Sequence, residues 1–285
     1  MTRNILIVGI TGSGKSALAN VLTNTNQFEE GNSGISVTKN FQKSDPFEWE
    51  GTNYYVIDNI GFGDTDNLAE EVILYEIGKG IYCAKEGIDQ VFFVFKDKFS
   101  PEQIRNFNSF KELISESSIT KFTTLVRTNF VSFRSQQECA RDRQDLLNEN
   151  RELREIIESC NSILHVDNPP IPVIDEEDDE EEKRDKEEEM SISKNDREDS
   201  RKLTLNHLTT NCQGVYKLKE WDSIYAIVAN HFGKEKEIEQ SNSLTKKEEI
   251  EKEKNKAIAE IKIKLEKEFP RINEQLTAAI EQSKR

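Results

Sequence analysis

The feature that most constrains this chain is a glycine-rich turn between an apolar run and a helix near its start. The run Ile5–Val8 predicts a buried strand, and Lys15–Thr23 predicts a helix with its aliphatic side chains on one side. Between them, the eight residues Gly9-Ile10-Thr11-Gly12-Ser13-Gly14-Lys15-Ser16 match the pattern G-x-x-x-x-G-K-[ST] throughout. Glycines let the backbone wrap around a phosphate so that its N–H groups point inward, and the helix N-terminus adds partial positive charge. The turn is therefore predicted to bind phosphate.

The last two residues of this motif carry the side chains that a nucleoside triphosphate and Mg²⁺ require. Lys15 is placed to reach the β- and γ-phosphates, and the Ser16 hydroxyl is placed to hold Mg²⁺. The alternative is a glycine-rich turn with an exposed lysine, but the flanking strand and helix favour the phosphate site. The predicted nucleotide-binding residues here are Gly9, Thr11, Gly12, Ser13, Gly14, Lys15, Ser16 and Ala17.

A second motif, Asp58-Asn59-Ile60-Gly61, stands at the end of a later predicted strand. An aspartate at this position can reach Mg²⁺ through water, and a glycine N–H three residues later can sense a γ-phosphate. Many strands end in Asp and turn at Gly, so this motif gains its meaning from the phosphate loop before it. We predict Asp58 as a metal residue and Gly61 as a nucleotide residue.

A polar stretch between the two motifs supplies a candidate switch threonine. Thr38, in the segment "GISVTKN", is predicted to close on Mg²⁺ and nucleotide when a γ-phosphate is present, and Ser36 is a competing candidate. The alternative is an ordinary surface threonine.

Strands and helices alternate along most of the chain, which predicts an α/β fold. We expect a mostly parallel sheet with helices on both faces and one antiparallel hairpin within residues 37–58. The segment 135–160 is predicted to be one long polar helix.

The charge pattern predicts two further segments. Asp175–Glu189 holds twelve acidic and three basic residues, and residues 175–200 are expected to be a disordered acidic insert. An amphipathic helix at 221–232 would complete the domain, which is predicted to span 1–235. Residues 236–285 are predicted to be a charged, coiled-coil-like helical tail, whose apolar stripe needs a partner surface on the domain or on another chain. The seven stripe residues are Ile258, Ile261, Leu265, Phe269, Ile272, Leu276 and Ile280.

Composition excludes several other classes of protein. The net charge of −15 argues against sequence-independent binding to nucleic-acid phosphates. The four cysteines are scattered without a CxxC pair, which fits a reducing compartment and excludes the usual zinc pattern. The longest aliphatic and aromatic run, Val91–Phe95, is far too short to span a bilayer, and the N-terminus has no signal-peptide pattern. We therefore expect a cytoplasmic protein with no membrane-spanning segment.

Three stretches of the chain resemble one known family. "GITGSGKSALAN", "SVTKNFQ" and "VIDNIGFGDTD" are similar to the immune-associated nucleotide-binding proteins of the AIG or GIMAP type, relatives of the septin-like and Toc-like GTPases. The resemblance covers roughly residues 1–235. It implies a Ras-like P-loop G domain with a six-stranded sheet, GTP or GDP with Mg²⁺, and dimerisation through the nucleotide face.

The residues that would read the base depart from the family pattern. The matching strand ends in Arg127-Thr128-Asn129-Phe130, which offers no aspartate to accept hydrogen bonds from guanine. We predict that Arg127, Thr128 and Asn129 line the nucleotide site, with a plain loop as the alternative. Asn168, after the last strand, is the second base-reading candidate.

Phe62 follows Gly61, at a position where many G domains have a glutamine that orients the attacking water. A phenyl ring forms no such hydrogen bond, so unaided hydrolysis is expected to be slow and to need a partner molecule in trans. Alternatively, Phe62 packs inward and Asp64 or Thr65 acts instead.

The sequence thus favours a GTP-binding switch with slow GTPase activity that works through nucleotide-dependent homodimers. One alternative is an interaction or scaffold protein that binds nucleotide with little or no hydrolysis and uses its C-terminal helix to recruit an unidentified protein. The other is an ATP-using P-loop enzyme, which the missing guanine-reading aspartate leaves open.

Overall fold

A computed structural model describes residues 2–31, 41–59, 61–62, 77, 80, 84, 87–113, 117–212 and 214–217. The predicted switch threonine Thr38, the amphipathic helix at 221–232 and the tail 236–285 lie outside these residues. Among the described residues, no helix combines the length and the apolar character needed to cross a bilayer.

The apolar runs form one sheet of seven strands in the described part of the chain. The five strands β1, β4, β5, β6 and β7 are parallel, in the order β4-β1-β5-β6-β7. Two short strands, β2 and β3, both pair antiparallel with β4 at the edge of the sheet. The strand bounds are β1 Thr2–Gly9, β2 Gln42–Lys43, β3 Phe47–Trp49, β4 Thr52–Asp58, β5 Gln90–Lys96, β6 Thr123–Thr128 and β7 Ser162–His165.

The predicted count of six strands becomes seven because the outer strand of the hairpin is interrupted. At the break, the Ser44 hydroxyl accepts a hydrogen bond from the Val56 N–H at 2.9 Å, and Pro46 has no N–H to donate to a ladder. β2 and β3 are thus two pieces of one edge strand. The mostly parallel α/β sheet with one antiparallel edge is as predicted.

Five α-helices and one short 3₁₀ helix, Ser117–Phe122, are described. The helix bounds are α1 Lys15–Thr23, α2 Pro101–Leu113, α3 Gln136–Glu149, α4 Arg151–Ser159 and α5 Glu180–Asn211. The single long helix predicted for 135–160 is wrong, because Asn150 adopts an extended conformation and its side chain accepts from the Leu153 N–H at 2.8 Å. Asparagine is among the preferred N-cap residues, so it ends one helix and starts the next.

Alternate residues of the central strands face two separate hydrophobic cores. In β1, Leu6 and Val8 join a cluster with α2 and α4, whereas Ile5 and Ile7 join a cluster with α1 and α5. Helices therefore cover both faces of the sheet, as predicted.

The acidic segment 175–200 corrects a sequence prediction, since most of it belongs to α5 rather than to a disordered insert. Asp179 and Glu182 form a capping box at the start of the helix, and Lys186 pairs with Asp178 at 2.6 Å. The later part of the helix packs on the sheet through Leu205 and Leu208 together with several polar side chains. Its buried residues are Ser193, Ser200, Thr204, Leu205, His207 and Leu208.

Ser200 provides a test of this packing. Its hydroxyl donates to the Asp167 carbonyl at 2.6 Å and accepts from the Asp167 N–H at 3.0 Å, joining α5 to the end of β7. Because Ser200→Ala leaves both buried groups unpaired, we expect it to lower the free energy of unfolding by about 1–3 kcal/mol in urea denaturation. Ser191→Ala, at an exposed site on the same helix, should change it by less than about 0.5 kcal/mol. Equal effects of the two substitutions would show that this part of α5 is not docked.

Candidate functional site

The predicted phosphate loop forms a tight turn at the carboxyl end of β1, in the middle of the sheet. Gly9, Gly12 and Gly14 have φ values of 148°, 74° and 86°, which favour glycine. A Cβ atom at Gly9 would lie 2.1 Å from the Val94 carbonyl oxygen of β5. The glycines are thus required by backbone conformation and by close approach, in addition to any ligand.

The Lys15 side chain points back into the turn. The Lys15 ammonium donates to the Ile10 carbonyl at 2.9 Å, although the lysine is only 6% exposed. Gly14 is the N-cap of α1 and has no capping side chain, which leaves this helix end suited to an anion. Lys15 and the start of α1 together make the bottom of the loop electropositive.

Ser16 and Asp58 meet as the predicted metal pair. Parallel pairing of β1 with β4 brings the two strand ends together, and the Ser16 hydroxyl donates to Asp58 Oδ2 at 2.8 Å. Asp58 is 1% exposed, and its other oxygen, Oδ1, has no hydrogen-bond partner among the described residues. Burial raises the pKa of Asp58 to about 6, against the opposing effects of Lys15 and the Ser16 hydroxyl.

This pair has the chemistry of a Mg²⁺ site that shares its ligands with phosphate. Hydroxyl and carboxylate oxygens are hard ligands, and Mg²⁺ is usually held by one or two protein groups plus waters and substrate phosphates. Within the described ranges, no group of three or more His, Cys, Asp or Glu side chains could hold a metal by itself. The oxygens present therefore fit Mg²⁺ only together with a phosphate ligand.

The chain after β4 lies directly against the phosphate loop. The Thr11 N–H donates to the Phe62 carbonyl at 2.9 Å, and the Phe62 N–H donates to the Gly9 carbonyl at 3.0 Å. A Cβ atom at Gly61 would lie 2.3 Å from Thr11 Oγ1, so only glycine fits there without displacement. The second motif is thus held in register with the first.

Phe62 packs inward, which is the alternative that the sequence left open. Its side chain is 2% exposed and belongs to the same core as Phe93 and Phe95. The ring is therefore directed into the protein, and Asp64 and Thr65 lie outside the described residues.

Two hydroxyl groups of the loop have unmet hydrogen-bonding capacity. Thr11 Oγ1 and Ser13 Oγ are buried, and neither has a partner among the described residues. Buried polar atoms are usually paired, so unpaired ones in a glycine-rich turn are consistent with a polar ligand.

The end of β6 is attached to the other side of the phosphate loop. The Thr128 hydroxyl donates to the Ser13 carbonyl at 2.7 Å, and Asn129 has a φ of 56° as the chain turns away. Thr128, one of the three predicted base-reading residues at this strand end, thus uses its hydroxyl to support the phosphate loop.

Arg127 is occupied by contacts that the sequence did not reveal. Its guanidinium pairs with Asp142 of α3 and lies 5.1 Å from the centre of the Phe130 ring. His165 Nε2 is 2.8 Å from the other oxygen of Asp142, and burial together with Arg127 lowers the pKa of His165 to about 4. Neutral His165 therefore donates to Asp142, and this cluster fixes the ends of β6 and β7. No sequence signal marks Asp142, one acidic residue among many on a polar helix.

Asn168 is the second predicted base-reading candidate. It follows β7, and both polar atoms of its amide are buried without a partner in the described part of the chain. An amide offers both donors and an acceptor, so it can bind the edge of a base. The carboxyl ends of parallel strands are also where α/β proteins bind ligands.

The raised pKa of Asp58 predicts two opposite pH dependences. In the ligand-free protein, the proton held by buried Asp58 stabilises the fold at low pH, and this contribution is lost as the pH rises from about 4 to about 6. Relative to Asp58→Asn, the unsubstituted protein should therefore lose unfolding free energy over this range in urea denaturation. If Asp58 holds Mg²⁺ as predicted, binding of nucleotide with Mg²⁺ would need the carboxylate and should instead weaken as the pH falls through about 6. Parallel stability curves for the two proteins would contradict this assignment.

Comparison with known proteins agrees with these features. Residues 3–213 match the model of the AIG1 family. Immune-associated nucleotide-binding protein 13 of Arabidopsis thaliana is 29% identical over 161 residues, which cover 56% of this chain and 46% of that protein. Immune-associated nucleotide-binding protein 9 of the same plant is 28% identical over 126 residues, or 44% and 36% of the two chains. The chain thus spans less than half the length of these relatives.

Solved structures are similar at lower sequence identity. A dimerisation-deficient variant of Toc33 from Arabidopsis thaliana is 16% identical, with a TM-score of 0.45, over 70% of this chain and 86% of that one. The family model spans most of the chain, including the phosphate loop, Asp58 and Asn168. We conclude that this chain belongs to the AIG1 family.

Proposed function

We propose that this protein is a cytoplasmic GTP-binding switch that hydrolyses GTP slowly and acts through nucleotide-dependent self-association. The observation that carries the proposal is the phosphate loop with Lys15 at its base and the hydrogen-bonded pair Ser16 and Asp58 beside it. The curated relatives are named as nucleotide-binding proteins, which supports the same ligand class.

Each part of the loop has a role in this proposal. Backbone N–H groups of the loop and of α1 bind the phosphates, and Lys15 exchanges its contact with the Ile10 carbonyl for phosphate oxygens. Ser16 and Asp58 are the residues that would hold Mg²⁺, whose charge offsets that of the phosphates when it is bound. Gly61 lies against Thr11 of the loop, and its N–H is proposed to contact the γ-phosphate. Thr38 is proposed as the switch residue.

Slow hydrolysis follows from what the residue after Gly61 can do. The buried ring of Phe62 offers no group to orient a water. A second copy of the chain, associated through the nucleotide face, is proposed to complete the catalytic site, and Asp64 or Thr65 of the same chain is the alternative. The same observation favours a second candidate function, a nucleotide-dependent scaffold with no significant hydrolysis.

Guanine is the proposed base, with Asn168 as its contact. The family resemblance supports guanine, whereas the strand end at Arg127–Phe130 has no carboxylate to select it. Adenine therefore stays an alternative, and the identity of the bound nucleotide decides between them.

The nucleotide that copurifies with the protein tests the ligand. We expect denatured protein to release GDP or GTP in near-stoichiometric amount, measured by chromatography. Lys15→Ala removes the charge at the base of the loop and should abolish binding, while Arg151→Ala, whose side chain is 91% exposed, should leave it unchanged. Release of adenine nucleotide would replace GTP by ATP in the proposal, and retained binding by Lys15→Ala would contradict the phosphate-loop assignment.

Self-association is tested by the mass of the protein in each nucleotide state. We expect light scattering to show more dimer with a non-hydrolysable GTP analogue than with GDP, and the rate of hydrolysis per molecule to rise with protein concentration. Identical masses in both states would exclude the switch. Undetectable hydrolysis at every concentration would favour the scaffold.

A further inference from the structure

One arginine of α5 joins two segments that are far apart in the sequence, the loop after β7 and the segment after α1. Arg197 Nε donates to the Pro169 carbonyl at 2.7 Å, and its two terminal nitrogens donate to the two carboxylate oxygens of Glu30 at 3.0 and 2.5 Å. The side chains of Arg197 and Glu30 are only 12% and 24% exposed. A paired fork of this kind is among the stronger charged contacts because both hydrogen bonds are charge-assisted and their geometry is fixed.

The first partner belongs to the base side of the site. Pro169 directly follows Asn168, whose amide is buried and unpartnered among the described residues. The carbonyl that Arg197 holds is therefore one residue away from the proposed base contact. Fixing this carbonyl limits where the Asn168 amide can lie.

The second partner is connected to α1, the helix that follows the phosphate loop. Glu30 also accepts a hydrogen bond at 2.8 Å from Asn20 Nδ2, and Asn20 lies on α1, the helix that begins at the phosphate loop. The same Asn20 side chain donates to the Phe28 carbonyl at 2.7 Å and accepts from the Phe28 N–H at 2.9 Å. Glu30 is thus attached to α1 both through the backbone of its own segment and through its carboxylate.

These contacts form one continuous path across the site. It runs from the Asn168–Pro169 loop through Arg197 and Glu30 to Asn20 on α1. In the proposed binding mode, the phosphates would lie at the start of α1 and the base at the end of β7. The path therefore joins the helix and the loop that the two ends of a nucleotide would contact, and it meets the helix at Asn20, in its second half.

Other contacts already attach α5 to the domain. Ser200 binds Asp167, Arg201 Nε donates to the Leu22 carbonyl at 3.2 Å, and the Arg3 guanidinium donates to the Leu208 carbonyl at 3.2 Å. Arg201 is on the same helix, is partly buried and contacts α1, yet none of its described contacts is to the loop after β7. It offers a matched control for the loss of an arginine from this helix.

We propose that Arg197 is a positioning residue for nucleotide binding, which holds the Asn168 loop at the distance from α1 that a bound nucleotide requires. The inference rests on the proposed nucleotide-binding function. It assigns to α5, the helix formed largely by the acidic segment, control over how tightly the base end of the ligand is held. Nothing in it requires Arg197 to touch the nucleotide.

The test compares a ligand that uses both ends of the site with one that uses only the phosphate end. For Arg197→Gln in the full chain, we expect the dissociation constant of fluorescent GDP to rise about tenfold, which corresponds to about 1.4 kcal/mol. Inorganic tripolyphosphate, measured by competition with the same probe, should bind within about twofold of its affinity for the unsubstituted chain, because it contacts only the phosphate loop. Arg201→Gln should leave both affinities within about twofold. Glu30→Gln should lower the affinity for GDP as much as Arg197→Gln does. The double variant should bind GDP no more weakly than either single variant, because each of these variants breaks the same path.

Three results would overturn this inference. If Arg197→Gln lowers the affinities for GDP and tripolyphosphate equally, the substitution has disturbed the phosphate loop or the whole fold. If Arg201→Gln lowers the affinity for GDP as much as Arg197→Gln does, any loss of α5 packing is sufficient to weaken GDP binding. If Arg197→Gln leaves GDP affinity unchanged, the path does not control the base end. Failure of the unsubstituted chain to bind any nucleotide would instead contradict the proposed function itself.

Discussion

The close approach of three backbone segments around the phosphate loop is the constraint on which the rest of this structure depends. Gly9 lies against the Val94 carbonyl of β5, and Gly61 lies against Thr11 of the loop. A side chain at either glycine would push these segments apart. Because β4 and β5 flank β1, and β6 pairs with β5, the loop after β1 has Asp58 beside Ser16 and Thr128 beside Ser13. The geometry of the site thus depends on these close contacts between backbone segments.

Electrostatics in this region is dominated by burial. Asp58 keeps a carboxylate in an environment that raises its pKa to about 6, with Lys15 and the Ser16 hydroxyl as its compensating neighbours. A buried charge with an unpartnered oxygen costs stability in the ligand-free protein, and a bound cation can recover that cost. Functional sites often carry this kind of destabilisation, because the groups that bind a ligand cannot all be satisfied without it.

The helix α5 changes how the charged part of the chain is understood. Its acidic first half is mostly exposed, but its second half packs on the sheet, and Arg197 and Ser200 contact the loop after β7. The net charge of the segment predicted disorder. Individual charges of the segment have specific partners, supplied by Lys186, Arg197 and the cap at Asp179. The net charge of a segment does not record such pairings. A segment that composition sets apart from the domain is therefore part of it.

What the sequence determined by itself is the phosphate loop, the strand-end aspartate and the α/β class, because consecutive residues encode them. The pattern Gly9–Ser16 between a strand and a helix, and the alternation of apolar runs, depend only on local conformation and periodicity. What only the tertiary structure decided is which distant groups pair. Arg127 contacts Asp142, Phe62 turns into the core, and Arg197 links Glu30 to Pro169 across 167 and 28 residues of sequence. Such pairings depend on distance and on the removal of water from each charge, and neither quantity is present until the sheet and helices have assembled.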